Sequence, residues 1–288
     1  MFGPSHHPPS AAVVSRLRDA TTVVLDVDGT ITGIYGVVRE RILDAVPRLA
    51  VPVGLATARS MRELEAAFPA GVPCESVFRG HVLVEDGAAL AVPRDREGRG
   101  YTVESCIEPA PQRAVNRFRD MFLDSLEPLN TIEGLYQIKG VESAHVRVPP
   151  YRDFVASVSI WQRSVDERID AGAVRRWCDD SIQRLGLDKH LSSLQLGDGT
   201  VRITVRGVDK GSGLQRLADT GRIKLRSTAY VGDGLNDVPA ARVVKGAGGI
   251  VIAVGTTTPE LVALADYVIR GQRSGGVEDL LQMMSATS

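Results

Sequence analysis

Hydrophobic and polar positions follow two rhythms along this chain. Short apolar runs occur at Thr22–Leu25, Pro52–Ala56, Val82–Val84, Thr228–Val231, Gly249–Val254 and Tyr267–Ile269. Continuous runs of that length predict strands buried on both faces. The intervening stretches place apolar residues every third or fourth position. Ile42, Leu43, Val46 and Leu49 do so within 39–50, and 61–68, 213–218, 239–243, 260–265 and 277–283 behave alike. Ser60 is a plausible N-cap for the helix that starts at Met61. Strand and helix therefore alternate, which predicts a Rossmann-like parallel sheet covered on both faces, an α/β fold. Thr32–Val37, with Gly33 and Gly36, reads as a loop or flap.

The rhythm changes after about residue 90. A charged stretch, Pro93–Gly100, leads to an amphipathic helix at Pro111–Leu126. Strand-like pieces follow at 135–138, 145–148 and 155–161, then a second helix at 171–185. Two alternating runs flank Asp198-Gly199 and predict a hairpin. Residues 90–206 thus read as an inserted α+β domain, and 20–89 with 207–288 as the core that it interrupts. Residues 1–19 read as a flexible tail, with a short helical lead-in at Ala11–Arg18.

Composition narrows the possible roles. The chain has 288 residues, 43% hydrophobic and 24% charged, with a net charge of −1. That balance suits a soluble globular protein and gives no electrostatic case for a nucleic-acid or anionic-membrane partner. No run approaches membrane-spanning length, and Met1–Ser10 lacks the basic start and apolar core of a signal peptide. Cys74, Cys106 and Cys178 are too scattered for a zinc site or a disulfide framework, which predicts idle thiols in a reducing, cytoplasmic setting. Nothing in the sequence fixes an assembly beyond a monomer or small homo-oligomer.

The chemistry gathers at predicted strand ends. The first strand stops at Asp26-Val27-Asp28-Gly29-Thr30. Residues two apart on an extended strand point the same way, so both acids can reach one site. An Asp-Gly turn with no chemical role is the plain alternative for so short a stretch. Three further segments supply what such acids need. Thr57 ends the second strand, Lys210 opens a helix just after the insert, and Gly232-Asp233-Gly234-Leu235-Asn236-Asp237 closes the strand at 228–231. Ligands collect beyond the C-terminal ends of parallel strands. There Asp26 can serve as a carboxylate nucleophile on phosphorus and Asp28 as general acid and base. Asp233 is a further carboxylate for Mg2+, and Thr57 and Lys210 can hold a phosphate. The Thr30 hydroxyl can hold a neighbouring carboxylate. The second Gly-Asp-Gly, at 197–199, sits between alternating runs and reads as a turn instead.

Taken together, the four segments resemble the motifs of the haloacid dehalogenase superfamily of phosphohydrolases. A long insert between the second and third motifs is similar to the type-2 cap of its Cof-like, sugar-phosphatase branch. The resemblance covers residues from about 20 to 285. It implies an Mg2+-dependent phosphatase that acts on a small phosphorylated metabolite, a sugar phosphate above all, through an aspartyl-phosphate. It further implies metal binding by Asp26, Asp233 and the main-chain carbonyl of Asp28. Phosphate binding by Thr57, Lys210 and Asn236, with support from Thr30, Arg59 and Asp237, is implied as well. The cap would close over the site and set specificity. Three departures stand out: Thr57-Ala58-Arg59 where the branch often has Thr-Gly-Arg, Glu85-Asp86-Gly87-Ala88 where it often has Glu-Asn-Gly-Ala, and Val254-Gly255-Thr256-Thr257 where Met-Gly-Asn-Ala is common. A phosphosugar mutase would share every core residue, and a ratio of free phosphate to isomerised sugar phosphate separates the two. A non-catalytic ligand-binding protein of the same fold is the third reading, and turnover of any phosphate ester excludes it.

Overall fold

The computed structural model describes residues 9–33, 36–93, 100–129, 135–141, 145–147, 156–162, 172–195, 200–255, 258–269 and 275–285. The chain forms two units, one of residues 1–106 with 209–288 and one of residues 107–208.

The first unit begins with α1 (Ala11–Arg18), β1 (Thr22–Leu25), α2 (Glu40–Ala45) and β2 (Val53–Ala56). Next come α3 (Met61–Glu65), α4 (Cys74–Val77) and β3 (Val82–Val84), then the pair β4 (Ala89–Pro93) and β5 (Tyr101–Ser105). The second unit contains α5 (Pro109–Asp124), β6 (Leu126–Pro128), β7 (Leu135–Ile138), β8 (His145–Arg147), β9 (Ser157–Gln162), α6 (Ala173–Arg184), β10 (Leu191–Gln195) and β11 (Val201–Val205). The chain then returns to the first unit through α7 (Lys210–Asp219), β12 (Thr228–Gly232), α8 (Val238–Gly246), β13 (Ile250–Val254), α9 (Pro259–Leu264), β14 (Tyr267–Ile269) and α10 (Gly275–Ser285).

The first unit is built on an eight-stranded sheet in the order β14-β13-β12-β1-β2-β3-β4-β5. Its strands pair in parallel from β14 through β3, while β4 and β5 add antiparallel to that edge. Alternate residues of one strand feed two cores. Val23 and Leu25 of β1 pack with Leu17, Ile42, Leu64 and Leu280, and Val24 packs with Leu214, Leu217 and Val244 on the opposite face. That double burial is why the strands read as unbroken apolar runs. From β1 the chain steps one way to β2 and β3, and after the insert it resumes on the other side at β12. The direction of winding therefore reverses between β1 and β12, where ligands collect in such sheets.

The second unit is a six-stranded antiparallel sheet, β10-β11-β9-β8-β7-β6. Helices α5 and α6 bury Val115, Phe118, Phe122, Cys178 and Ile182 against Ile138, Val158, Ile160 and Ile203. Trp177 meets Phe118 and Phe122 edge-on, with ring centroids 6.4 and 6.0 Å apart. Such edge-to-face geometry suits the ring quadrupoles. The predicted hairpin is the β10–β11 pair, with Gln195 opposite Val201, while its turn at 196–199 lies outside the described residues.

Two of the expected boundaries move. Residues 90–93 and 101–105 belong to the core sheet, because Leu90 pairs with both Leu83 and Glu104. The charged stretch at 94–99, outside the described residues, is only the connection between two core strands. The expected tail at 1–19 is also shorter. Val13 and Leu17 of α1 are buried in the core, and the Arg16 guanidinium donates to the Gly249 carbonyl at 2.7 Å and to Asp266 at 2.8 Å. Ser10 caps that helix, so a side chain satisfies one of its orphan amides. No helix among the described residues is long and apolar enough to cross a membrane.

Candidate active site

Asp26 stands one residue beyond β1, and its amide donates to the Val231 carbonyl of β12 at 2.8 Å. This bond seats the start of the first motif beside the end of β12, where Asp233 follows. Gly29 completes the arrangement at φ 81°, a left-handed turn in which a Cβ would overlap the Asp233 carboxylate. The Thr30 hydroxyl donates to Asp233 Oδ1 at 3.5 Å. Thr258, a residue that no sequence signal marked, donates its hydroxyl to the Asp233 main-chain carbonyl at 3.0 Å.

Lys210 is the first residue of α7. Asp209 caps that helix reciprocally with Ser212, and such a cap contributes about 1 kcal/mol. A cation at a helix N-terminus opposes the helix dipole, so strong partners must hold it. Lys210 has two: its Nζ lies 2.5 Å from Asp26 Oδ1 and 2.6 Å from Asp237 Oδ1, and it is 0% exposed. Burial works against the ammonium, but Asp237, Asp26 and Asp86 outweigh it and raise the Lys210 pKa. Burial also pushes the Asp26 carboxyl well up, helped by Asp237 and Asp233 and opposed by Lys210.

Asp237 is fully engaged. Its Oδ1 accepts from Lys210 and from the Tyr230 hydroxyl at 2.6 Å, and its Oδ2 accepts from the amides of Asp233 and Gly234, each at 2.9 Å. The three carboxylates of Asp26, Asp233 and Asp237 offer oxygens within 4.8 Å of one another. Because Asp237 is saturated by four donors, Asp26 and Asp233 are the side chains with capacity for a cation. Two converging carboxylates, Asp26 buried and Asp233 half-buried, with one ammonium to offset them, fit a hard divalent ion such as Mg2+.

Asp28 faces elsewhere. Its carboxylate accepts three hydrogen bonds from Arg59, at 2.6–3.2 Å, and is 52% exposed. Arg59 in turn donates to the carbonyls of Glu63 at 3.0 Å and Gly36 at 3.2 Å, tying the Thr32–Val38 loop to the second motif. The Asp28 side chain is therefore not among the clustered acids. Thr57 is buried, and its Oγ1 accepts from the Arg59 amide at 3.1 Å, a bond that does not use the hydroxyl proton. Ser60 caps α3 reciprocally with Glu63, as its position predicts. Asn236 donates from Nδ2 to Asp86 Oδ1 at 3.2 Å.

Sequence reasoning passed over two residues near this centre. Tyr230 lies inside an apolar strand and reads as core, yet its phenol serves Asp237. Asp86 appeared only as a departure from a family pattern. It is buried and adopts φ 55°, directly after Glu85 at φ 52°. Left-handed backbone costs a residue with a Cβ about 1–2 kcal/mol, less for Asp, and such strain gathers at functional sites.

Comparison with known proteins agrees with this geometry. A family profile described as haloacid dehalogenase-like hydrolase matches residues 177–281. A phosphoglycolate phosphatase from Methanothrix thermoacetophila is 26% identical over 156 residues, covering 43% of this chain and 68% of that protein. The phosphatase BT1666 of Bacteroides thetaiotaomicron shares the fold with a TM-score of 0.57 at 20% identity, over 98% of this chain and 99% of that one. The trehalose-6-phosphate phosphatase of Aspergillus fumigatus does so with a TM-score of 0.57 at 15% identity, over 97% and 99%. Residues 177–281 thus match the haloacid dehalogenase-like hydrolases, and the chain shares its fold with solved phosphatases. These likenesses support a phosphoric monoester hydrolase.

Proposed function

We propose that this hydrolase is an Mg2+-dependent, cytoplasmic phosphatase acting on a small phosphorylated metabolite, most specifically a sugar phosphate, through an aspartyl-phosphate on Asp26. The observation that carries the reading is the buried Lys210 ammonium between Asp26 and Asp237 at the point where the sheet's winding reverses. Its relatives, the phosphoglycolate phosphatase and the trehalose-6-phosphate phosphatase, act by name on monoesters of small metabolites, which supports the substrate class.

In this reading an Asp26 carboxylate oxygen forms a bond to phosphorus as the bond to the ester oxygen breaks. Asp28 supplies the proton that the leaving alkoxide takes. In the second step Asp28 takes a proton from water as the water oxygen attacks phosphorus, and the Asp26–phosphorus bond breaks to release phosphate. Paired with Arg59, Asp28 accepts hydrogen bonds on both oxygens, the arrangement that suits the second step. For the first step it must leave Arg59 and carry a proton. Lys210, the Thr57 hydroxyl and Asn236 would bind the non-reacting phosphate oxygens. Asp237, fixed by Tyr230 and two amides, keeps Lys210 aimed. Mg2+ held by Asp26, Asp233 and the Asp28 main-chain carbonyl would offset the repulsion between an anionic nucleophile and an anionic substrate.

Phosphate release from a panel of phosphorylated sugars and small acids tests the reading, with Mg2+, with chelator, and with Asp26→Asn alongside. One strong substrate silenced by both controls is expected. Wild-type turnover by Asp26→Asn would overturn the mechanism, and isomerised product without free phosphate would assign a mutase instead.

A further inference from the structure

We infer that Asp86 is a positioning residue for the substrate phosphate, acting through the amide of Asn236. The inference rests on the reading that Asn236 contacts phosphate.

Asp86 sits in a turn held from three sides. The Glu85 amide donates to the Arg59 carbonyl and the Asp86 amide to the Thr57 carbonyl, each at 2.9 Å, so the turn is fastened to the second motif. Gly87, at φ 88°, lets it lie against the N-terminus of α7, where a Cβ would come within 2.5 Å of the Asp209 carbonyl oxygen. That terminus carries Lys210. The Asp86 carboxylate then reaches the fourth motif and receives Asn236 Nδ2 at 3.2 Å. The second motif and the Asn236 amide, 150 residues from Asp86, are thus joined through one buried, left-handed tripeptide.

The chemistry of the contact fixes an orientation. An amide side chain is nearly two-fold about its last torsion, and by itself it can present either oxygen or nitrogen. A carboxylate can only accept from it. Asp86 therefore draws the nitrogen end of Asn236 and sets which atoms of that amide meet a ligand. Its negative charge beside Lys210 is what an acid adds here over a neutral residue, and it favours the protonated ammonium.

The test is a double-mutant cycle on inorganic phosphate binding, measured by calorimetry on the full chain with MgCl2, with a melting temperature for each variant. Asp86→Gly removes the carboxylate and suits the left-handed backbone. Asp86→Asn also tolerates that backbone and keeps an oxygen that can accept from Asn236. Asp86→Gly and Asn236→Ala are each expected to weaken phosphate binding by about tenfold, as for loss of one hydrogen bond to a charged group. The double variant should be within about twofold of the weaker single one, because the two residues act as a unit. Asp86→Asn should recover most of the affinity that Asp86→Gly loses. Losses that multiply in the double variant would overturn the inference, as would unchanged affinity in Asp86→Gly beside a weakened Asn236→Ala. No phosphate binding by the wild type, or no effect of Asn236→Ala, would instead overturn the phosphate-site reading and the inference with it.

Discussion

The two units hold the same tripeptide in opposite settings. Gly232-Asp233-Gly234 follows a parallel strand, whose neighbours are covalently remote, and its acid meets Asp26 and Thr30. Gly197-Asp198-Gly199 connects two antiparallel strands that are consecutive in the chain. A parallel sheet must bring its strand ends together from distant segments, so side chains of different motifs converge on one rim. An antiparallel meander closes its ends locally, and its order comes from aromatic and aliphatic packing under two helices. The first unit accordingly buries Asp26, Lys210 and Asp237 together at one rim, whereas the buried Arg202 of the second unit meets the neutral Ser159 hydroxyl.

That contrast can be broken most severely at Asp26. Asp26→Asn should lower phosphate release by about 10³-fold or more while the protein stays folded, since a removed nucleophile costs chemistry and not packing. Circular dichroism beside the phosphate assay checks it, and a lost fold would make the acid structural.

Stability should distinguish the units next. Lys210→Ala leaves the buried carboxylates of Asp26 and Asp237 without their ammonium, and about 3–5 kcal/mol of stability should disappear in denaturant titration. Phe118→Ala empties a fully buried ring site in the second unit, at a similar cost of about 3–5 kcal/mol. Hydrogen exchange sharpens the pair: Phe118→Ala should lower protection in α5, β9 and β11 first and spare β1 and β12.

Metal should act on one unit alone. Mg2+ at about 100 times its dissociation constant should stabilise the wild type by about 2.7 kcal/mol, and Asp233→Asn should abolish most of that gain. Chelator should abolish phosphate release, and added Mg2+ should restore it.

The smallest effect lies far from the site. Burial alone would raise the Asp266 carboxyl, but hydrogen bonds from Lys245, the Val251 amide and Arg16 hold it below the usual carboxylate range. A lowered pKa contributes stability above the unfolded value and loses it as pH falls through the folded one. Asp266→Asn should therefore cost about 1 kcal/mol or less near pH 7, discounted for solvent screening, and nothing at a pH low enough to protonate the wild-type acid. Melting curves across pH check the sign.

Much of this was legible in the residues. Strands β1, β2, β3, β12 and β13 announce themselves because both faces are buried and most positions are apolar. Asp26, Thr57, Lys210 and Asp233 stand out because each follows such a run or opens the next helix. What stayed hidden has physical causes. β4 and β5 are joined by a charged stretch, and polarity there resembles a domain boundary. Helix α2 stops at Ala45 and tightens into a 3₁₀ turn at Val46–Arg48, where Pro47 cannot donate to the ladder. The role of Tyr230 rests on one hydrogen bond 7 residues along, which no hydrophobic pattern encodes. The Asp28–Arg59 pair spans 31 residues and depends on rotamers.

The pairing of β1 with β12 carries a consequence for how the protein is made. Thr22 lies opposite Thr228, so during synthesis the central strand waits through all the intervening chain for one of its two neighbours. Until then β1 is an apolar edge with unpaired amides, the kind of surface on which nascent chains aggregate. A product truncated before residue 228 would keep the nucleophile and a sticky strand, but neither the strand that covers it nor the Asp233 and Asp237 that follow. On the ribosome, the partner strand of β1 and the acids that follow it arrive together, long after the nucleophile.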